Sequence, residues 1–179
     1  KILLIDRDGT ISQQLERGQY VATWEQFEFV PETVQAMREL ADDGFEFIVI
    51  TNQAGIALGV VEEAEVDRIH ENMTAELGRR GIPVLGVYMS PDHWDSGSKM
   101  RKPAPGMFHL ASDEHRFRLD RVLYVGDEAI GQRHGADLEA GVEQAGARQV
   151  LHHRRCEAAP AAFLDGHKHF VVAGQPADQ

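Results

Sequence analysis

The chain has 179 residues and a mass of 19.9 kDa, with 42% hydrophobic and 26% charged residues, so it can bury on the order of 70% of its unfolded surface without disulfides or a structural metal. A single cysteine, Cys156, excludes a disulfide framework and a thiolate-rich metal site and points to a reducing cytoplasm. The formal net charge of −11 weighs against a protein that grips many nucleic-acid phosphates, and the lack of a roughly 20-residue apolar run or a basic-then-apolar start predicts no membrane span and no export.

Along the chain, Ile2, Leu3, Leu4 and Ile5 form an aliphatic run that stops at Asp6, as a strand buried on both faces requires. Residues 12–30 are polar, without helical period, and carry Tyr20, Trp24, Phe27 and Phe29; they read as a loop or hairpin. Pro31 suits a first helical turn, Val34, Met37, Leu40 and Ala41 share a face, and Gly44 ends that helix. Residues 45–50 are a second strand running into Thr51, Asn52 and Gln53. A long helix over 62–80 carries the stripe Val66, Ile69, Met73 and Leu77. Residues 84–89 are a third strand and 90–103 a loop rich in Pro, Asp and Ser. A helix over 105–115, a fourth strand over 121–125, a helix over 137–145 and a fifth strand over 148–151 follow. Residues 169–172 read as an edge strand and 174–179 as a frayed tail. The β-α alternation predicts an α/β fold with a central parallel sheet and helices on both faces.

Four polar clusters follow predicted strands: residues 6–10, residues 51–53, Arg101 with Lys102, and Gly126 with Asp127. In an open α/β sheet ligands bind at the carboxyl ends of the strands, so residues distant in sequence converge there. Each cluster alone has an ordinary reading as a turn, a cap or a loop; four in order form a set. Asp6 and Asp8 can enter one site if the strand breaks between them, and Gly9 permits the turn. With Asp127 they make three carboxylates that repel unless a cation intervenes, and all-oxygen ligands in a small site suit Mg²⁺. Lys102 and the Thr51 hydroxyl suit the anionic oxygens of a phosphate.

The segments Asp6-Arg7-Asp8-Gly9-Thr10, Thr51-Asn52-Gln53, Arg101-Lys102-Pro103 and Val125-Gly126-Asp127 resemble the four ordered motifs of haloacid dehalogenase (HAD) superfamily phosphatases, over residues 1–146. Within that superfamily they are most similar to the histidinol-phosphate and heptose-bisphosphate phosphatase branch, with polynucleotide 3′-phosphatases as near relatives. The resemblance implies a Rossmann-like three-layer sandwich, here a single phosphatase domain over 1–179. The intervals from Asp8 to Thr51 and from Thr51 to Lys102 hold too few elements for a large cap domain, so the loops 12–30 and 90–100 are expected to set specificity.

The function implied is Mg²⁺-dependent hydrolysis of a small phosphate monoester, a sugar (bis)phosphate such as heptose bisphosphate, through an aspartyl-phosphate. By motif, Asp6 is the nucleophile and Asp8 the general acid. Asp6, the backbone carbonyl of Asp8 and Asp127 hold Mg²⁺. Thr51 and Lys102 stabilise the transferring phosphoryl group, and Asn52, Gln53 and Arg101 face the substrate at the rim.

Two departures stand out. Where the branch often carries zinc-binding cysteines, this chain has Ser90, Pro91 and Asp92, then Ser98, Lys99 and Met100, so no zinc is expected; Asp92, His93 and Asp95 read as a solvated loop. The second aspartate of the fourth motif is displaced to Asp137 by an insertion containing Gln132, Arg133 and His134, which predicts a second-sphere role for Asp137. The run His152 to Arg155 reads as solvated surface, and His167 with His169 lacks further ligands. A polynucleotide 3′-phosphatase and a histidinol-phosphate phosphatase remain alternatives. So does a phospho-accepting signalling domain, which Asp8 disfavours because a second carboxylate serves turnover.

Overall fold

The computed structural model describes residues 1–16 and 18–126 and, as backbone, 148–152 and 170–172. Six strands form one sheet: β1 Ile2–Ile5, β2 Glu46–Asn52, β3 Val84–Ser90, β4 Leu123–Gly126, β5 Arg148–His152 and β6 Phe170–Val172. Their order is β3-β2-β1-β4-β5-β6. The first five run parallel and β6 is antiparallel to β5.

Among the described residues three helices flank the sheet: α1 Pro31–Asp42, α2 Glu63–Arg79 and α3 Gly106–His115. The strands alternate between two cores, as period-2 geometry requires. Leu3, Ile5, Phe47 and Val49 pack with Val34, Met37 and Leu40 of α1 and Ile69, Met73 and Leu77 of α2. Leu4, Ile48, Ile50 and Tyr124 pack with Met107, Phe108 and Ala111 of α3. Helices on both faces make a three-layer sandwich. The chain runs outward from β1 to β3, then returns through α3 to β4 on the other side of β1. That reversal between β1 and β4 is the topological switch point, where ligands bind in such sheets.

The elements follow the sequence pattern closely, with two shifts. β2 extends to Asn52 because Thr51 and Asn52 continue the parallel ladder onto Met89 and Ser90. The fourth strand starts at Leu123, since Leu119–Arg121 form a 3-10 turn that buries Leu119. Residues 12–30 form a flap closed at its neck by an antiparallel bridge between Ser12 and Phe29. There the Gln13 amide donates to Glu28 O at 2.7 Å and the Val30 amide to Ile11 O at 2.8 Å. Inside the flap, Phe27 stacks on Trp24 and meets Phe29 edge-on.

Among the described residues no further domain interrupts the sheet, and no helix is long and apolar enough to cross a membrane. The helix expected over 137–145, the insertion around Gln132, Cys156, the basic run beyond His152, His167, His169 and the tail lie outside the described residues.

Candidate active site

The break after Ile5 is built into the backbone. The Asp6 amide still donates to Val125 O at 2.8 Å, one residue past the strand end. The chain then turns so tightly that the amides of Thr10, Ile11 and Ser12 all donate to Arg7 O, at 3.2, 2.9 and 2.9 Å. Gly9 makes this possible with φ of +78°, a left-handed conformation that side chains resist. The turn leaves Asp6 and Asp8 at the switch point, Asp6 paired with Lys102 and Asp8 with Arg7.

Asp6 faces Lys102. Its Oδ2 accepts from Lys102 Nζ at 2.6 Å and from the Tyr124 hydroxyl at 3.1 Å, while Oδ1 accepts from the Arg7 amide at 2.8 Å. Lys102 Nζ also donates to the Tyr124 hydroxyl at 2.7 Å and to Ile50 O at 2.9 Å. The ammonium is thus aimed by β2 and β4 from two sides. Asn52 fixes the Lys102 backbone: its Nδ2 donates to Lys102 O and its Oδ1 accepts from the Lys102 amide, both at 3.0 Å.

Asp8 faces Arg7. Arg7 Nε and Nη2 form a fork to its Oδ1 and Oδ2, both at 2.8 Å; Ser12 Oγ donates to Oδ1 at 3.1 Å and Gln53 Nε2 to Oδ2 at 2.8 Å. Burial alone would raise this carboxyl, but the Arg7 charge and the bonds from Arg7, Gln53 and Ser12 outweigh it and hold the group below the usual carboxylate range. Arg7 is fully buried. Its Nη2 also donates to Gln53 Oε1 at 2.8 Å, and its Nη1 lies 3.0 Å from His70 Nε2 on α2. Burial, then the Arg7 charge, lowers His70 from its ordinary 6.5 to about 4. The ring is therefore neutral near pH 7, and Nε2 accepts from Arg7.

These contacts bear on three expectations. Gln53 does not stand at a rim: it is 4% exposed, with its amide bridging Arg7, Asp8 and, at 3.0 Å, Thr51 Oγ1. Asn52 spends its amide on the Lys102 backbone. The charge argument for a cation also weakens, because Asp6 and Asp8 each already have a cationic partner. Arg101 is half-buried and donates from Nη1 to Asp92 O at 2.9 Å, tying the 90–100 loop to the site. That loop is closed by Ser90 Oγ on Asp92 Oδ2 at 3.0 Å and by His93 paired with Asp95.

The donor chemistry fits a hard divalent cation. The Asp6 carboxylate and the Asp8 backbone carbonyl offer only oxygen, and Asp6 Oδ1 receives no more than the Arg7 amide among the described residues. Asp127 and Asp137 lie outside the described residues; Asp127 directly follows Gly126, the last residue of β4.

Arg7, Ser12, His70 and Tyr124 belong to this constellation although the motif reading gave them no role. Signals for two of them were present. His70 falls on the apolar stripe of α2, where a polar ring needs a partner, and Tyr124 is a hydroxyl inside a buried strand.

The chain matches the family described as polynucleotide kinase 3 phosphatase over residues 1–161. It is 33% identical over 151 residues to a D-glycero-beta-D-manno-heptose-1,7-bisphosphate 7-phosphatase of Pseudomonas putida, covering 84% of this chain and 81% of that one. A D-glycero-alpha-D-manno-heptose-1,7-bisphosphate 7-phosphatase of Photorhabdus laumondii is 31% identical over 154 residues, covering 82% and 78%. Among solved structures, the D,D-heptose 1,7-bisphosphate phosphatase from B. bronchiseptica complexed with magnesium and phosphate superposes with a TM-score of 0.71 at 28% identity, covering 83% of this chain and 78% of that one.

Proposed function

Because the chain belongs to the polynucleotide kinase 3 phosphatase family and is a phosphatase of the HAD type, we propose that it hydrolyses a sugar bisphosphate of the heptose 1,7-bisphosphate kind through an aspartyl-phosphate on Asp6. The observation that carries this reading is the pairing at the switch point, with Lys102 on Asp6 and the Arg7 fork on Asp8. The two carboxylates are neighbours with unequal surroundings, as distinct nucleophilic and proton-transfer roles require.

In the first half-reaction an Asp6 oxygen attacks phosphorus, the bond to the leaving sugar oxygen breaks, and Asp8 supplies the proton that oxygen needs. In the second, Asp8 takes a proton from the water that cleaves the aspartyl-phosphate, restoring Asp6. Asp8 rests as the carboxylate, the form the second half uses. The phosphate dianion arriving beside it favours uptake of the proton needed for the first. Lys102 and the Thr51 hydroxyl neutralise charge on the phosphoryl oxygens. Asp6, the Asp8 carbonyl and Asp127 would hold Mg²⁺, which when bound shields the nucleophile from the phosphate dianion and polarises the phosphoryl group. Asn52 and Gln53 act through Lys102 and Asp8, and Arg101 remains the candidate for contact with the distal part of the substrate. Residues 1–179 form one phosphatase unit in this reading, and the 90–100 loop, closed by serine and aspartate hydrogen bonds, works without zinc.

The test is acid-quench trapping with ³²P-labelled heptose 1,7-bisphosphate. Label bound to the wild type and missing from Asp6→Asn supports the covalent route; phosphate release by Asp6→Asn at the wild-type rate sinks it. A polynucleotide 3′-phosphatase is the second reading, favoured by the description of the matching family and opposed by the net charge of −11. Phosphate release compared across heptose bisphosphates of both anomers, histidinol phosphate and 3′-phosphorylated oligonucleotides separates these substrates.

A further inference from the structure

Arg7 is the bulkiest of the fully buried side chains among the described residues, and a guanidinium out of water needs partners for its five N–H groups. Asp8 and Gln53 take Nε and Nη2 on the site side. On the opposite side Nη1 meets His70 Nε2 at 3.0 Å. His70 is 8% exposed and lies on the same face of α2 as the core residues Val66, Ile69, Met73 and Leu77. A two-pronged fork can still swing as a unit about the carboxylate it grips. Gln53 braces the Nη2 end on the site side, and the bond from Nη1 to a residue rooted in the core braces the opposite end, so that the fork cannot swing.

We propose that His70 is a positioning residue for the reaction: by accepting from Arg7 Nη1 it fixes the Arg7 fork, and through the fork the orientation of the Asp8 carboxyl toward the phosphoryl group. This rests on the reading of Asp8 as the proton-transfer group. Without the acceptor, a buried Nη1–H would lose its partner. The cheapest relief is for Arg7 to turn toward water, which takes the fork off Asp8.

The test couples His70 to Asp8, with p-nitrophenyl phosphate as probe because its good leaving group keeps Asp8→Asn measurably active. His70→Leu is expected to lower kcat by about 10–100-fold, the usual effect of losing an outer-sphere partner, with little change in KM. In the Asp8→Asn background the same substitution is expected to cause no further fall. His70→Gln, which can place an acceptor near the Nε2 position, should recover most of the rate, whereas His70→Asn should not; this pair keeps the test open if His70→Leu does not fold. An equal fall in both backgrounds, or a wild-type kcat in folded His70→Leu, overturns the proposal while leaving Asp8 in place. A wild-type kcat in Asp8→Asn alone overturns the assignment of Asp8 and this proposal with it.

Discussion

Asp8 accepts from four donor atoms while Asp6 shares its second oxygen with one ammonium and one phenol, and this inequality predicts different consequences for the same substitution. Asp8→Asn keeps the shape but cannot shuttle a proton and turns an amide N–H toward the Arg7 fork. Turnover of a sugar phosphate should fall about 10²–10⁴-fold, the range of general acid–base contributions, and turnover of an aryl phosphate by less; equal losses on both esters would contradict the acid role. His70 gives a stability prediction with a definite sign. Its folded pKa of about 4 lies below the ordinary 6.5, so between those values the unfolded chain binds the proton that the folded chain refuses, and stability falls as pH drops through that window. Going from pH 7 to pH 5 the loss from this group is about 2 kcal/mol. Urea unfolding at both pH values should show a smaller difference in His70→Gln than in the wild type.

Among the elements, the flap over 12–30 is seated on the turn after β2, where the ring of Tyr20 and the side chain of Val61 approach Gly55. A Cβ at Gly55 would stand 3.0 Å from that ring and 2.9 Å from Val61 Cγ2. Gly55→Ala should therefore cost about 1–3 kcal/mol as overpacking and tilt the flap, raising KM more than it lowers kcat; an unchanged KM would show that the flap plays no part in binding. The sequence that follows β4 yields a metal prediction. Asp127 follows β4 directly, whereas Asp137 lies beyond the insertion. The half-saturating Mg²⁺ concentration should therefore rise further in Asp127→Ala than in Asp137→Ala, and the reverse order would reassign the ligand.

Strands, helices and the flap were legible because each is written locally: an aliphatic run ending at Asp6, a stripe at helical spacing in α2, a proline opening α1. The placement of Asp6 and Asp8, the proposed catalytic pair, was legible for the same reason, since their motif sits at a strand end. What the sequence could not display is which polar groups are consumed by other polar groups. Asn52 and Gln53 look like substrate ligands until Lys102 and Asp8 are brought against them by β2. His70 looks like one more residue of a helix face until α2 is laid over Arg7.

Taken as a whole molecule, the protein is an acidic body of net charge −11 with its candidate site at the reversal of the sheet between β1 and β4. A field of that sign repels a polyanion and is screened by salt. Any turnover of a 3′-phosphorylated oligonucleotide should therefore show kcat/KM rising with ionic strength between 0.05 and 0.2 M, roughly the range where the Debye length shrinks through 10 Å. A steep fall with salt would instead reveal a basic groove and revive the polynucleotide reading. The closed neck of the flap carries a different implication. Its two ends meet in an antiparallel pair at Ser12 and Phe29, and its interior reaches the core through the buried Val21 and Phe27. The segment between is thus a cassette: a substitute of another length that retains these two plugs can be spliced in while the sheet, Asp6, Asp8 and Lys102 stay where they are.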